Sequence, residues 1–258
     1  MRVRKGSDGK GSEMADETGR WPRCDVSARP REGGAAGGGD DPARRDVAPE
    51  LVRDGDGLSL VGGGMAFRGD FARMLPRLRP DRLSRELLVR AAKVKGALSP
   101  VAVDATAGLG EDSLLLAAAG FSVTLCERDP AICALLEDAV ARAAEDPRLA
   151  PVVARMTLVA GDSLEALASL PEPPDVVYLD PMFPERRKSA AVKKKFQLLH
   201  QLEPPCEEQE ELLTAALGAR PRKVVIKRPL KGPELAGAKP SYSLAGKAIR
   251  YDVIVPPR

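Results

Sequence analysis

The sequence predicts a doubly wound α/β fold, a mostly parallel sheet with an antiparallel edge strand, preceded by a small N-terminal extension. Three observations predict it. Short apolar runs alternate with helix-periodic segments from about residue 99 onward. The first run, Val101-Ala-Val, passes through Asp104 into a turn holding Gly108 and Gly110, which opens a helix. Later runs also end in polar residues, on the side where doubly wound sheets hold ligands. With 258 residues the chain accommodates a tail over 1–50, an extension of short strands and a helix over 51–98, and the α/β domain over 99–258.

Residues 1–50 are rich in Gly, Arg, Asp, Glu and Pro, carry the tract Gly33-Gly-Ala-Ala-Gly-Gly-Gly39 and lack apolar periodicity. They bury too little surface to offset chain entropy, so a disordered tail is expected. Order begins near a strand Leu58–Val61 that runs into Gly62-Gly-Gly-Met-Ala-Phe-Arg68. Leu83, Leu87, Leu88, Ala91 and Val94 keep helical spacing, giving a helix from Leu83 to Lys95 with Gly96 as its C-cap.

The α/β pattern follows. Strand Val101–Val103 leads to helix Asp112–Ala119, stopped by Gly120. Strand Ser122–Cys126 leads to a helix from Pro130, a favoured first-turn residue, to about Ala144. Strand Met156–Val159 leads to helix Ser163–Leu170, capped by Asp162 or Ser163. Strand Asp175–Leu179 is followed by a basic helix Ala191–Leu202, a helix Glu207–Leu217 and strand Lys223–Ile226. Ile249–Val255, stopped by Pro256-Pro257, reads as the edge strand.

Composition narrows the function classes. A net charge of +3 with 30% charged residues is too mild to establish nucleic-acid binding, so the placement of the cations matters more. Cys24, Cys126, Cys133 and Cys206 are scattered, with no CxxC pair and no His/Cys cluster. Neither a disulfide framework nor a metal site is expected, and reduced thiols point to a cytoplasmic location. No apolar segment follows the basic Met1-Arg-Val-Arg-Lys5, and no run reaches membrane-spanning length, so neither a secretory signal nor a membrane partner is expected.

The glycine turn suits two cofactor classes, dinucleotides and S-adenosylmethionine. A third glycine of the dinucleotide pattern is missing, and Glu111 and Asp112 would repel a pyrophosphate while suiting a sulfonium and an ammonium group. Glu127, beside Arg128 and 23 residues after Asp104, stands where an acid accepts from ribose hydroxyls. Asp162 and Ser163, after the third strand, suit an adenine edge, a helix cap, or both. The fourth strand ends in Asp180-Pro-Met-Phe-Pro184, which resembles the (N/D/S)-P-P-(Y/F/W) signature of methyltransferases acting on amino groups conjugated to planar rings. Asp180 and the Pro181 carbonyl can accept both protons of such an amine, and Phe183 can stack on its ring. Arg186, Arg187, Lys188, Lys193, Lys194 and Lys195, with Lys227 and Arg228 at the end of another strand, are candidate RNA phosphate contacts. The single His200 reads as ordinary surface.

Taken together, V-D-A-T-A-G-L-G-x-D, E-R, D-S, Y-L-D-P-M-F-P, K-S-A-x-V-K-K and V-V-I-K-R-P resemble the RsmJ-type family of bacterial 16S ribosomal RNA guanine-N2 methyltransferases, over roughly Leu58 to Val255. The resemblance implies a class I, Rossmann-like methyltransferase that uses S-adenosylmethionine to methylate the exocyclic N2 of a guanosine in 16S rRNA, free or within the small ribosomal subunit. It places cofactor contacts on Glu111, Asp112, Glu127, Arg128, Asp162, Ser163 and Asp180. Glu111 stands where the family commonly has Arg, and Phe71–Pro80 replaces a glycine-rich stretch.

The motif chemistry alone leaves adenine N6 or a glutamine amide open as targets, because each presents a planar amine. The basic clusters favour nucleic acid. A non-catalytic RNA-binding protein retaining the fold is disfavoured by the intact Asp180-Pro-Met-Phe183 loop, and an NAD-dependent oxidoreductase by the acids at the phosphate position.

Overall fold

The protein's structure, a computed structural model, describes residues 31–32, 49–181 and 209–257. The expected tail lies outside the described residues except at 31–32 and 49–50, and the expected helix Ala191–Leu202 lies wholly outside them.

The extension begins as a small sheet. Strands β1 (Arg31–Glu32), β2 (Glu50–Asp54), β3 (Gly57–Gly62) and β4 (Met65–Phe67) lie in that order, so ordered backbone starts well before Leu58. Alternation in β3 buries Leu58 and Leu60 against Ile132, Ala134 and Leu135 of α5 (Pro130–Glu145), which docks the extension on the main domain. The Asp138 carboxylate, in the same helix, takes Arg53 and Arg142 at 2.8 Å each.

The helix expected over Leu83–Lys95 is instead split. After a 3₁₀ turn at Phe71–Met74 come α1 (Leu75–Leu78), α2 (Pro80–Leu83) and α3 (Leu87–Ala92). Glu86 is extended (ψ 127°), and its carboxylate receives Arg77 Nε and Nη2 at 2.8 and 2.9 Å. The ion pair lies at the break between α2 and α3, a place that apolar periodicity cannot sense. Gly96 lies in a turn beyond the helix rather than at its cap.

The main sheet has seven strands in the order β10-β11-β9-β8-β5-β6-β7. They are β5 (Val101–Asp104), β6 (Ser122–Glu127), β7 (Met156–Ala160), β8 (Val176–Leu179), β9 (Lys223–Pro229), β10 (Tyr242–Ala245) and β11 (Ile249–Ile254). The first five are mutually parallel, and β11 and β10 complete the sheet antiparallel. Ile249–Ile254 is therefore an inner strand. The edge is β10, whose Tyr-Ser-Leu-Ala is too short and too polar to stand out by pattern.

Helices α4 (Glu111–Ala118), α5, α6 (Ala150–Val153), α7 (Ser163–Ala168) and α8 (Gln209–Gly218) accompany the sheet. Two apolar layers result, one around Leu114–Leu116, Val123 and Tyr178, the other around Val103, Val177, Leu213 and Ile226. Parallel strands buried on both faces account for the uninterrupted apolar runs in the sequence. Cys126 and Cys133 are buried free thiols. Among the described residues no helix is long and apolar enough to cross a membrane.

The chain proceeds outward from β5 to β7 on one side, then returns to β8 on the other. The strand order thus reverses at β5 and β8, where an open α/β sheet forms a crevice beyond its carboxyl ends.

Candidate active site

A cavity of about 420 Å³ lies at that crevice, within the size range of small-ligand sites. All ten residues expected to hold the cofactor, from Asp104 to Asp180, line it, and so does Pro181.

The floor is the turn after β5. Asp104 is 1% exposed, its Oδ1 accepting the Thr106 N–H at 3.1 Å and its Oδ2 the Ser113 hydroxyl at 2.5 Å. Burial pushes its carboxyl up to about 7, against the pull of those two hydrogen bonds. Asp104 therefore shapes the turn from beneath. The glycines do different work. Gly110 (φ +72°) stands at the N-cap of α4, and a Cβ there would meet Leu136 Cδ1 at 2.7 Å and Phe71 Cζ at 3.2 Å. A Cβ on Gly108 (φ +50°) would project into open space inside the cavity. Gly110→Ala is expected to cost about 2–4 kcal/mol in denaturant unfolding, from overpacking plus the left-handed backbone. Gly108→Ala is expected to cost about 1–2 kcal/mol and to weaken cofactor binding instead. Equal destabilisation by the two would refute this division.

Glu127, at the end of β6, is 4% exposed and joins the glycine turn to α5. Its Oε2 accepts the Gly108 N–H at 2.9 Å and its Oε1 the Asp129 N–H at 2.8 Å. Burial raises its pKa although both bonds favour the carboxylate. Asp129 caps α5, accepting from the Ala131 and Ile132 amides. Asp162 caps α7 through the Leu164 N–H at 2.8 Å and also faces the cavity, so both of its expected roles are compatible.

At the opposite end the Asp180 N–H donates to Thr106 Oγ1 at 2.6 Å, which ties the β8 loop to the β5 turn. Lys227 Nζ lies 2.7 Å from Asp112 Oδ2 and 2.8 Å from Asp180 Oδ2, and the Tyr178 hydroxyl donates to Asp112 Oδ2 at 2.7 Å. Burial raises the pKa of Asp180, opposed by Lys227 and reinforced by Asp112. Burial works against the charge of Lys227, yet the two carboxylates lift its pKa far above the ordinary lysine value.

Two expected RNA contacts are placed otherwise. Lys227 is an ion-paired wall of the cavity. Arg228 is 1% exposed and its guanidinium donates to the Pro233 carbonyl, so it cannot reach a phosphate. Strand alternation sends the two side chains to opposite faces. Phe183, Arg186–Lys188, Lys193–Lys195 and His200 lie outside the described residues. Sequence reasoning missed Tyr178, Tyr251, Thr106 and Arg77 as cavity residues. Tyr178 alone carried a signal, as a polar-tipped residue in an apolar strand next to Asp180.

The donor set fits S-adenosylmethionine. Backbone amides at a helix start, buried acids along one wall and a carboxylate pair at the far end suit hydroxyl, amino and ammonium groups, while the acidic first turn of α4 opposes a pyrophosphate. Among the described residues no cluster of His, Cys, Asp and Glu is placed to hold a metal.

The sequence model of the family described as "Putative SAM-dependent methyltransferase" matches residues 64–256. The chain is 45% identical over 213 residues to a ribosomal RNA small subunit methyltransferase J of Thioalkalivibrio sulfidiphilus, covering 80% of this chain and 84% of that one. It is 42% identical over 218 residues to the protein of that name from Pseudomonas syringae, covering 82% and 80%. Among solved structures, a SAM-dependent methyltransferase from Neisseria gonorrhoeae superposes with a TM-score of 0.67 at 33% identity, covering 82% of this chain and 84% of that one.

Proposed function

The chain belongs to the ribosomal RNA small subunit methyltransferase J family of SAM-dependent methyltransferases, and from that premise we propose that it methylates the exocyclic N2 amino group of a guanosine in 16S rRNA. The observation that carries the reading is Asp180, set at the end of β8 with Oδ2 tethered to Lys227. Among the described residues its Oδ1 takes no hydrogen bond, so it can accept an amine proton.

S-adenosylmethionine, when bound, supplies an electrophilic methyl group on a sulfonium. The residues that would hold it are Asp112 for the ammonium, Glu127 for the ribose, and Asp162 with Ser163 for the adenine. The nitrogen of a guanine amine is a poor nucleophile because its lone pair is delocalised into the ring. Asp180 Oδ1 and the Pro181 carbonyl accept its two protons, localise the lone pair toward the methyl donor and offset the positive charge that develops on nitrogen. Asp180 is also a base able to take the proton that the nitrogen must lose. Phe183 is proposed to stack on the base.

The cations at Arg186–Lys188 and Lys193–Lys195 are proposed to contact RNA phosphates. Changing Lys193, Lys194 and Lys195 together to Gln is expected to weaken rRNA binding and to reduce the slope of log affinity against log salt by about 2. An unchanged slope would reduce this segment to a solvated face. Reduced thiols and an rRNA substrate fit a cytoplasmic location.

The overall test is labelled methyl transfer to small-subunit rRNA from cells lacking this enzyme, followed by mapping of the modified base. Label on a guanine N2 is expected. Label on adenine N6 or on protein, or no incorporation at all, would overturn the reading.

A further inference from the structure

Resting on the reading of Asp180 as acceptor of the target amine, we propose that Lys227 is a positioning residue that bridges Asp112 and Asp180, compensates the charge of both, and tethers one oxygen of each so that the other is presented to a ligand. Asp112 comes from the first turn of α4 and Asp180 from the loop after β8. A single ammonium, Lys227 Nζ, bonds Oδ2 of both, at 2.7 and 2.8 Å. The Tyr178 hydroxyl adds a second donor to the same oxygen of Asp112. Among the described residues neither Oδ1 takes a hydrogen bond. One free oxygen suits the cofactor's ammonium and the other the substrate amine.

The sheet builds this arrangement. In the parallel pairing of β8 with β9, Leu179 stands opposite Ile226, so the next residues along, Asp180 and Lys227, are neighbours at the carboxyl edge. Tyr251 of β11 pairs with Lys227 from the other side and lines the same cavity. To meet an RNA phosphate, Lys227 would have to abandon two charge-assisted bonds.

The chemistry requires the cation. Two carboxylates within reach of one ammonium repel each other; burial and the Asp112 charge both raise the pKa of Asp180 and Lys227 opposes them, so without Lys227 the Asp180 carboxyl would hold a proton more readily. The other groups facing Asp180 do not replace Lys227. Asp104, from β5, is acidic and buried, and Asp112 is itself one of the pair. Tyr178 and Tyr251 stay neutral because burial raises both. Arg228, the next residue of β9, is committed to the Pro233 carbonyl on the opposite face, and Arg77, from α1, to Glu86. A proton on Asp180 would weaken the acceptor that the target amine needs.

The test uses the full chain with Lys227→Met and Lys227→Gln, each checked for folding by its thermal midpoint. Two quantities are read: the pH profile of methyl transfer, and the number of protons released on binding S-adenosylhomocysteine, from calorimetry in two buffers of different ionisation heat. In the variants the acidic limb of the kcat profile is expected to move up by at least about one pH unit, with activity at pH 7 at least about tenfold below wild type and recovering toward pH 9. Proton release at pH 7 is expected to exceed the wild-type value, and the excess to vanish when Asp180→Asn is added. A folded variant with the wild-type pH profile and proton count would overturn the proposal and leave Lys227 a plain cross-link. If wild-type protein fails to methylate rRNA at any pH, the functional reading falls, while the proton count still decides the role of Lys227.

Discussion

Asp180→Ala is expected to lower single-turnover methyl transfer by about 10³-fold while S-adenosylhomocysteine affinity stays within about tenfold of wild type. The loss corresponds to about 4 kcal/mol of transition-state stabilisation, the scale of removing one preorganised charged acceptor. Affinity is spared because the cofactor's other proposed partners, Glu127, Asp162 and Asp112, sit on different elements, and Asp112 keeps its Tyr178 and Lys227 bonds without Asp180. Asp180→Asn sharpens the test. The amide preserves shape and still offers one acceptor, but it carries no charge to offset the nitrogen's developing positive charge, so it is expected to fall with alanine to within about tenfold. Near-normal turnover in either variant would remove Asp180 from the chemistry. A parallel collapse of cofactor affinity would instead make it a binding residue.

What could be read from the sequence was whatever is encoded locally. A strand, a turn and a helix start occupy neighbouring residues, so the Gly108 and Gly110 turn, Glu127, Asp162 and the Asp180-Pro181 end of β8 could be read from spacing and from local motifs, and all face one cavity. What depends on strand pairing was not legible. Lys227 and Arg228 look like twin surface cations in V-V-I-K-R-P, yet the register of β9 against β8 and the alternation of side chains put one in the cavity and the other in the interior. The same limit applies to β11, read as an edge because nothing in its own residues announces that β10 lies outside it. It applies again to Glu86, which leaves helical backbone and pairs with Arg77 in the middle of a segment whose apolar spacing favours one helix. Local chemistry located the site, and non-local register decided which charges serve it.

Asp104→Asn is expected to flatten the dependence of stability on pH in the cofactor-free protein. In the folded chain the Asp104 carboxyl is raised from an ordinary 3.8 to about 7, chiefly by burial. A raised native pKa means that the native state binds the proton more tightly than the unfolded chain does. The proton therefore stabilises the fold fully below about pH 3.8, and the benefit is lost as pH rises toward and through about 7. At 1.36 kcal/mol per unit that gap amounts to about 4 kcal/mol, lost by wild type and not by a residue that cannot ionise. Asparagine suits the position, since its oxygen can accept the Thr106 N–H and its amide can donate to Ser113 Oγ, a hydroxyl able to reverse its role. Urea unfolding at pH 4, 6 and 8 should show the variant gaining on wild type by several kcal/mol across that range. A difference that stays constant with pH would mean that Asp104 is already ionised in the folded protein. An acid that weakens its own fold at neutral pH calls for a local reason, and the geometry supplies one. Its oxygens join the turn, through the Thr106 N–H, to the first turn of α4, through the Ser113 hydroxyl, and ionisation beneath a cavity suited to a sulfonium and an ammonium is a cost that those ligand charges would offset.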